Sequence, residues 1–234
     1  MKIYDCFLYF NEIDILYIRL KILYNYVDYF IIIDSTITHQ GEKRENMYYE
    51  KFKNKYKEFE DKILYIKCEI PDAKILTKYK NTGDSWKRIH YHRDYIKTIL
   101  HELNCNDDDI ILSSDVDEIM YPEKLINVLK NIKLNEIYFF HMMHIKYYLN
   151  IKNMNDFIGT FVLSYHNLKT IDSLSVDIRH KYCHNRSCKN LLSVIKKNNK
   201  ENIYKIVENG GLHLSTLGGP DSEGYKCKAY SHCE

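Results

Sequence analysis

Short apolar runs alternate with helical segments through the first half of the chain, and this alternation limits the possible folds more than any other feature. Residues 3–10, 29–33, 63–66 and 110–112 have the length and apolar character of buried strands. Apolar spacing predicts a helix over 13–26 and an amphipathic helix through Tyr48, Phe52, Tyr56 and Phe59. We predict a loop over 71–85 and a helix over 86–103. The pattern favours an α/β domain with a mostly parallel sheet flanked by helices.

Polar residues follow three of these predicted strands. They are Asn11-Glu12, Asp34-Ser35 and the run from Ser113 to Glu118. Because the carboxyl ends of parallel strands meet at one edge of a sheet, and ligands gather there, we expect these three clusters to share that edge.

The second half of the chain is less regular. Residues 137–142, 161–163 and 210–214 are predicted strands, and 191–197 is a predicted short helix. No Pro- or Gly-rich linker separates the halves, so we predict one domain over 1–234.

Charge and cysteine content exclude several classes of protein. The 34 basic and 32 acidic side chains give a net charge of +2, which does not indicate a nucleic-acid-binding surface. No stretch has the apolar length of a secretion signal or a membrane span, so we expect a soluble, cytoplasmic protein. The 7 cysteines are irregularly spaced, which favours reduced thiols. Zinc binding is the alternative, and its potential ligands are Cys183, His184, Cys188, Cys227, His232 and Cys233.

Carboxylates come directly after the apolar run 110–112. Asp115 and Asp117 would project to the same side of an extended backbone, and two such carboxylates repel each other unless a cation lies between them. Oxygen ligands favour Mg²⁺ or Mn²⁺, which leave positions free for phosphate oxygens. Pro122 is expected to open the next helix. The upstream triplet Asp107-Asp108-Asp109 is predicted to be a solvated loop.

Several segments spread over most of the chain resemble a known family. They are Asp5-Cys6-Phe7, Phe10-Asn11-Glu12-Ile13, Ile18-Arg19-Leu20, Ile33-Asp34-Ser35, Thr38-His39-Gln40-Gly41, Trp86-Lys87-Arg88, His92-Arg93-Asp94, Ser114-Asp115-Val116-Asp117-Glu118, Gly211-Leu212-His213-Leu214-Ser215, Leu217-Gly218-Gly219 and Ser231-His232. Together they resemble glycosyltransferase family 17, the β-1,4-mannosyl-glycoprotein β-1,4-N-acetylglucosaminyltransferases that add bisecting GlcNAc, and their microbial and viral relatives. Asp34 stands where the family commonly has Glu, and Ile89, His92 and Asp94 also depart from its pattern.

The resemblance implies a GT-A-type fold, UDP-GlcNAc or a related UDP-sugar as donor, Mn²⁺ or Mg²⁺, and inversion at the anomeric carbon. A glycan or glycoprotein would be the acceptor. Residues 1–120 would form the nucleotide-sugar-binding half and 121–234 the acceptor-side half, since 143–205 match the family poorly.

Roles for individual residues follow from the resemblance together with their chemistry. Asp115 and Asp117 are the predicted metal ligands, with His232 or His213 completing the shell. Asp221 is the first candidate for the base that deprotonates the acceptor, although an Asp there could equally be a helix cap, and Glu118 is the second. The predicted donor contacts are Asn11, Asp34, Arg88, Arg93, Ser114, Asp115, Gly218, Gly219, Lys226 and Lys228. Asn11 and Asp34 are assigned to base and ribose, and Arg93 either to the diphosphate or to an ion pair with Asp115 or Glu118.

Two other functions are compatible with the same residues. A metal-dependent nucleotidyltransferase or nucleotide-sugar hydrolase would use the same acidic site but direct attack at phosphorus. An inactive glycan-binding module on the same fold is the third possibility, because a fold does not determine activity.

Overall fold

Four parallel strands form the first half of an eight-stranded sheet. They are β1 (Ile3–Tyr9), β2 (Tyr29–Ser35), β3 (Ile63–Cys68) and β4 (Ile110–Asp115), in the spatial order β3-β2-β1-β4. The structure is a computed structural model that describes residues 1–80, 82–153, 157–183 and 203–215, together with 217, 224, 228 and 229.

The second half of the sheet is mixed. It contains β5 (Glu118–Met120), β6 (Glu136–Lys146), β7 (Phe157–Ser164) and β8 (Ile203–Ser215). β7 runs antiparallel to both β4 and β6, while β8 lies parallel to β6 and antiparallel to β5. The sheet therefore continues from β4 through β7, β6 and β8 to the short edge strand β5.

Helices cover both faces of the sheet, which confirms the predicted α/β class. On one face, α1 (Ile13–Leu23) and α4 (Pro122–Asn131) pack on the sheet, and Leu16, Leu20 and Leu23 are fully buried there. The other face carries α3 (Asp84–Glu102), α5 (Tyr165–Thr170) and a π-helical segment (Leu174–Cys183). Each fully buried Leu or Ile contributes about 1.5–3 kcal/mol of hydrophobic stabilisation.

The predicted helix through Tyr48 and Phe59 is wrong in its geometry. α2 ends after five residues (Tyr48–Phe52), where Phe52 leaves helical dihedral angles, and a 3₁₀ helix (Lys53–Lys62) follows. A 3₁₀ helix places residues three apart on one side, so Tyr56 and Phe59 are both buried against α1. Tyr56 donates from its hydroxyl to the Ile13 carbonyl at 3.0 Å.

Smaller corrections concern loops and boundaries. The predicted loop 71–85 contains a 3₁₀ turn (Thr77–Tyr79), and α3 begins at Asp84 instead of residue 86. β8 is much longer than the predicted strand 210–214. Asp109 is buried and accepts from the backbone amides of Lys2 and Asn106, so only Asp107 and Asp108 of the acidic triplet are solvated.

Some predictions lie outside the described residues: the helix 191–197 and the zinc alternative with the side chains of Cys183, His184, Cys188, Cys227, His232 and Cys233. Cys6, Cys68 and Cys105 are free thiols. Among the helices that the structure describes, we find none with the length and apolar character needed to cross a membrane.

Candidate functional site

The three polar clusters predicted at strand ends do share one edge of the sheet. β1 lies between β2 and β4, and the register places Tyr9 opposite Asp34 and Leu8 opposite Asp115. β4 ends at Asp115, and the chain turns through Val116 and Asp117 into β5. We call residues 115–118 the acidic turn. Its carboxylates thus lie beyond the carboxyl ends of parallel strands, where open α/β sheets bind ligands.

Two arginines neutralise part of the acidic turn. Arg93 of α3 lies 3.0 Å from Asp115 through its Nη2, and Arg179 of the π-helical segment lies 2.7 Å from the same carboxylate. Arg179 also pairs with both oxygens of Glu118, one of them at 3.1 Å from Nη1. The structure thus contains the ion pair between Arg93 and Asp115 that the sequence offered as one of two roles for Arg93.

Asp115 is anionic as a result. Burial by itself would raise the pKa of this carboxyl group, but Arg179 and Arg93 outweigh that effect and hold the pKa well below its usual range. Glu118 is 0% exposed. Both carboxylates are therefore bound to guanidinium groups.

Asp117 faces a histidine. Its Oδ1 lies 3.6 Å from Nε2 of His213 on β8, and both side chains are about nine-tenths buried. His213 is fixed by aromatic contacts, with ring-centroid distances of 4.6 Å to His144 and 3.9 Å to Phe157. Antiparallel pairing of β5 with β8 brings the two residues together, because Glu118 lies opposite His213 in the register.

Asp117 and His213 supply part of the ligand set of a hard divalent cation. A carboxylate oxygen and an imidazole nitrogen are both suitable ligands for Mn²⁺ or Mg²⁺, which usually bind proteins through few side chains and take phosphate and water oxygens as the remaining ligands. Within the described ranges, no group of three or more His, Cys, Asp or Glu side chains could hold a metal ion by itself. The other predicted ligand, His232, lies outside those ranges.

A buried arginine connects the carboxyl ends of β1 and β2. Arg44 pairs with Asp34 and donates at 2.8 Å to the carbonyls of Ser35 and of Phe10. Tyr65 donates to the second oxygen of Asp34 at 3.2 Å. Burial raises the pKa of Asp34 to about 6, and the pairing with Arg44 opposes that rise. Both oxygens of Asp34 are therefore already hydrogen-bonded, and its contact with base or ribose stays a prediction.

A cavity of about 350 Å³ opens beside Arg44. Thr38, Glu42, Tyr48 and Lys228 contribute to its walls. Lys228, a predicted donor contact, is exposed, and the backbone of the neighbouring Ala229 accepts a hydrogen bond from the His39 amide at 3.0 Å. The segment at 228–229 therefore reaches the same edge of the sheet as Asp34.

Arg88 supports the loop that follows β2. Its Nη1 donates to the His39 carbonyl at 3.1 Å, and its guanidinium lies 2.9 Å from where a Cβ would stand on Gly41. Gly41 also has a φ of 98°, a left-handed conformation that favours glycine. This contact gives Arg88 a structural role, and its predicted contact with the donor stays a prediction.

Of the remaining predicted site residues, the structure describes Ser114 and Asn11. Ser114 is buried, and its hydroxyl accepts from Nη2 of Arg19 at 2.6 Å. The side chain of Asn11 is half-buried at the end of β1. Outside the described residues lie Gly218, Gly219, Asp221, Lys226 and His232.

Three arginines with contacts at this edge were not predicted as site residues. Arg19 stood in a segment that matched the family without an assigned role, and Arg44 follows the matched Thr38-His39-Gln40-Gly41 segment. Arg179 falls in 143–205, which matched the family poorly, so no sequence signal identified it.

Comparison with known proteins identifies the family of this chain. The profile of glycosyltransferase family 17 matches residues 1–195. Similar solved structures include the inositol-1-phosphate CTP transferase from T. maritima, with 11% identity and a TM-score of 0.39 over 97% of this chain and 94% of that chain. An active-site mutant of LgtC has 12% identity and a TM-score of 0.40 over 87% of this chain and 72% of that chain. No curated protein sequence matches significantly. Because the profile covers most of its length, this chain belongs to glycosyltransferase family 17.

Proposed function

We propose that this protein is an inverting, metal-dependent glycosyltransferase of the GT-A type, which moves GlcNAc from UDP-GlcNAc to a hydroxyl of a glycan or glycoprotein. The observation that carries the proposal is the acidic turn at the carboxyl edge of parallel strands, in a chain that belongs to a glycosyltransferase family. UDP-GlcNAc as donor rests on the family resemblance alone. Residues 1–120 would then bind the donor, and 121–234 would face the acceptor.

Asp117 and His213 would hold the cation, since they are within 3.6 Å of each other and Asp115 and Glu118 are already paired with arginines. Mn²⁺ or Mg²⁺ bound there would offset the charge that develops on the leaving diphosphate. Arg93 and Arg179 are positioned to exchange part of their carboxylate contacts for phosphate oxygens, because guanidinium groups bind both kinds of anion in a bidentate manner.

The reaction itself is a single displacement. The acceptor oxygen forms a bond to the anomeric carbon, the bond from that carbon to the UDP oxygen breaks, and UDP leaves with the bonding electrons. A carboxylate takes the proton of the acceptor hydroxyl. We retain Asp221 for this role, because Glu118 is fully buried and both of its oxygens accept from Arg179.

Calorimetry tests the donor site directly. UDP and UDP-GlcNAc are titrated into the native protein with Mn²⁺ and with chelator, and into Asp117→Ala. Asp108→Ala is the matched control, because it removes an exposed acidic side chain near the opposite end of β4. We expect metal-dependent binding to the native protein and the control and none to Asp117→Ala. Absence of nucleotide-sugar binding by native protein with Mn²⁺ would refute the proposal.

Product analysis then distinguishes the reactions that share such a site. A transferase releases UDP and forms a new glycoside with an inverted anomeric centre. Release of pyrophosphate or sugar phosphate would instead identify attack at phosphorus, as in a nucleotidyltransferase or hydrolase. Binding of UDP-GlcNAc without any product, across a panel of glycan acceptors, would favour a binding module.

A further inference from the structure

Arg19 of α1 is completely buried beneath the acidic turn. Its side chain and that of Asp5 on β1 are both 0% exposed. The guanidinium holds the carboxylate through two hydrogen bonds, from Nε at 2.8 Å and from Nη2 at 2.6 Å. It also lies over the ring of Phe7, 4.4 Å from the ring centroid. The charge of Arg19 is thus compensated locally by Asp5.

The rest of this guanidinium binds the backbone of the acidic turn. Nη1 lies 3.2 Å from the carbonyl oxygen of Asp115, 3.3 Å from that of Val116 and 2.7 Å from that of Glu118. Nη2 donates to the hydroxyl of Ser114, the residue before the turn. A single buried cation therefore contacts every residue from 114 to 118 except Asp117.

Such an arrangement fixes the turn from the inside. Backbone carbonyls in a buried turn must find donors, and here the two N–H groups of Nη1 are shared among three carbonyls. Because the carbonyls are held on the side of α1, the carboxylates of Asp115 and Glu118 are left to pair with Arg93 and Arg179. Only arginine has a planar fork with five donors, so lysine cannot reproduce these contacts.

We propose that Arg19 is a positioning residue that presets the acidic turn for cation and diphosphate binding. The predicted effect of Arg19 on donor binding rests on the proposed function, whereas its predicted effect on the order of the turn does not. Outer contacts that orient ligand residues commonly change metal affinity by about 10–100-fold when removed. Arg19 would act in this way through the backbone, without touching donor or acceptor.

The test requires a variant that lacks the guanidinium but does not leave Asp5 as an unpaired buried charge. Arg19→Met combined with Asp5→Leu meets this condition, because buried ion pairs are often replaced by apolar side chains without loss of folding. Arg19→Lys keeps the charge beside Asp5 and loses only the fork. Leu23→Ala is the matched control, since it creates a cavity in the same helix at another fully buried position.

The first readout is amide hydrogen exchange in metal-free protein. We expect exchange at residues 115–118 to accelerate at least about tenfold in the double variant and in Arg19→Lys, with β2 amides unchanged. The second readout is the Kd for UDP with Mn²⁺, which should rise by about 10–100-fold. Leu23→Ala should change neither quantity.

Native-like exchange at residues 115–118 in either Arg19 variant would overturn the inference, whatever the binding data show. If the double variant fails to fold, Arg19→Lys decides the question by the same measurement. Failure of the native protein to bind UDP with Mn²⁺ would refute the proposed function. The hydrogen-exchange measurement alone would then test whether Arg19 orders the turn. Fast exchange combined with native affinity would also overturn the inference, because the turn would then not need presetting.

Discussion

Replacing Arg179 with methionine removes the guanidinium that Asp115 and Glu118 share. Glu118 is fully buried, and both of its oxygens accept from Arg179, so the variant leaves its carboxylate buried without its cation. Breaking a buried ion pair from one side typically costs about 3–5 kcal/mol. For a chain of this size, 1 kcal/mol corresponds to about 2–4 °C in the unfolding midpoint, so we expect a fall of roughly 10 °C.

Urea denaturation and calorimetry of Arg179→Met, Glu118→Gln and the double variant measure this dependence. The double variant should recover much of the loss, because the neutral amide no longer requires a cation. Lys169→Met is the control: its ammonium pairs with Asp107 at the surface, and the midpoint should hardly change. A loss below about 1 kcal/mol, or strictly additive effects in the double variant, would contradict the ion-pair reasoning.

Two further predictions concern stability. Burial lowers the pKa of His39 to about 3 and of His90 to about 4, so both are neutral when folded but protonate near pH 6.5 when unfolded. The stability that these two neutral histidines contribute is therefore fully present above pH 6.5, and it should fall below that pH by about 1.4 kcal/mol per pH unit for each histidine. Urea titrations at pH 7 and 5 measure the fall, and a flat profile refutes this. Gly211→Ala would place a Cβ 2.2 Å from the Ile119 carbonyl oxygen and should lower the free energy of unfolding by about 3 kcal/mol or more. Gly83→Ala, with nothing within 4 Å of the new Cβ, should change that free energy by no more than about 0.5 kcal/mol. Similar denaturation midpoints for the two variants would contradict the packing at Gly211.

The location of the candidate site could be predicted because it depends on local pattern and on a general rule of sheet topology. Apolar runs identified β1, β2 and β4, and the polar residues that follow them had to meet if these strands were parallel neighbours. Pro122 likewise marked the start of α4, because its ring suits the first turn of a helix.

The partners within the site could not be predicted in the same way. Arg179 reaches Glu118 across 61 positions of sequence, and no local periodicity encodes such a contact. The break between α2 and the 3₁₀ helix is also tertiary in origin, since burial of Tyr56 and Phe59 against α1 takes precedence over an uninterrupted α-helical stripe. The roles of individual residues were hardest to predict where one side chain had several chemically reasonable partners, as Arg93 had.

The position of β8 has a consequence for how the protein is made. β8 fills the space between β6 and β5, so both strands expose unpaired backbone until residues 203–215 have been synthesised. Open strand edges invite pairing with other chains. The first four strands can assemble on the ribosome early, but His213 meets Asp117 only after β8 has been synthesised. A nascent chain stalled before residue 203 should therefore need chaperones, and the contact between the acidic turn and β8 should be among the last contacts of the sheet to form.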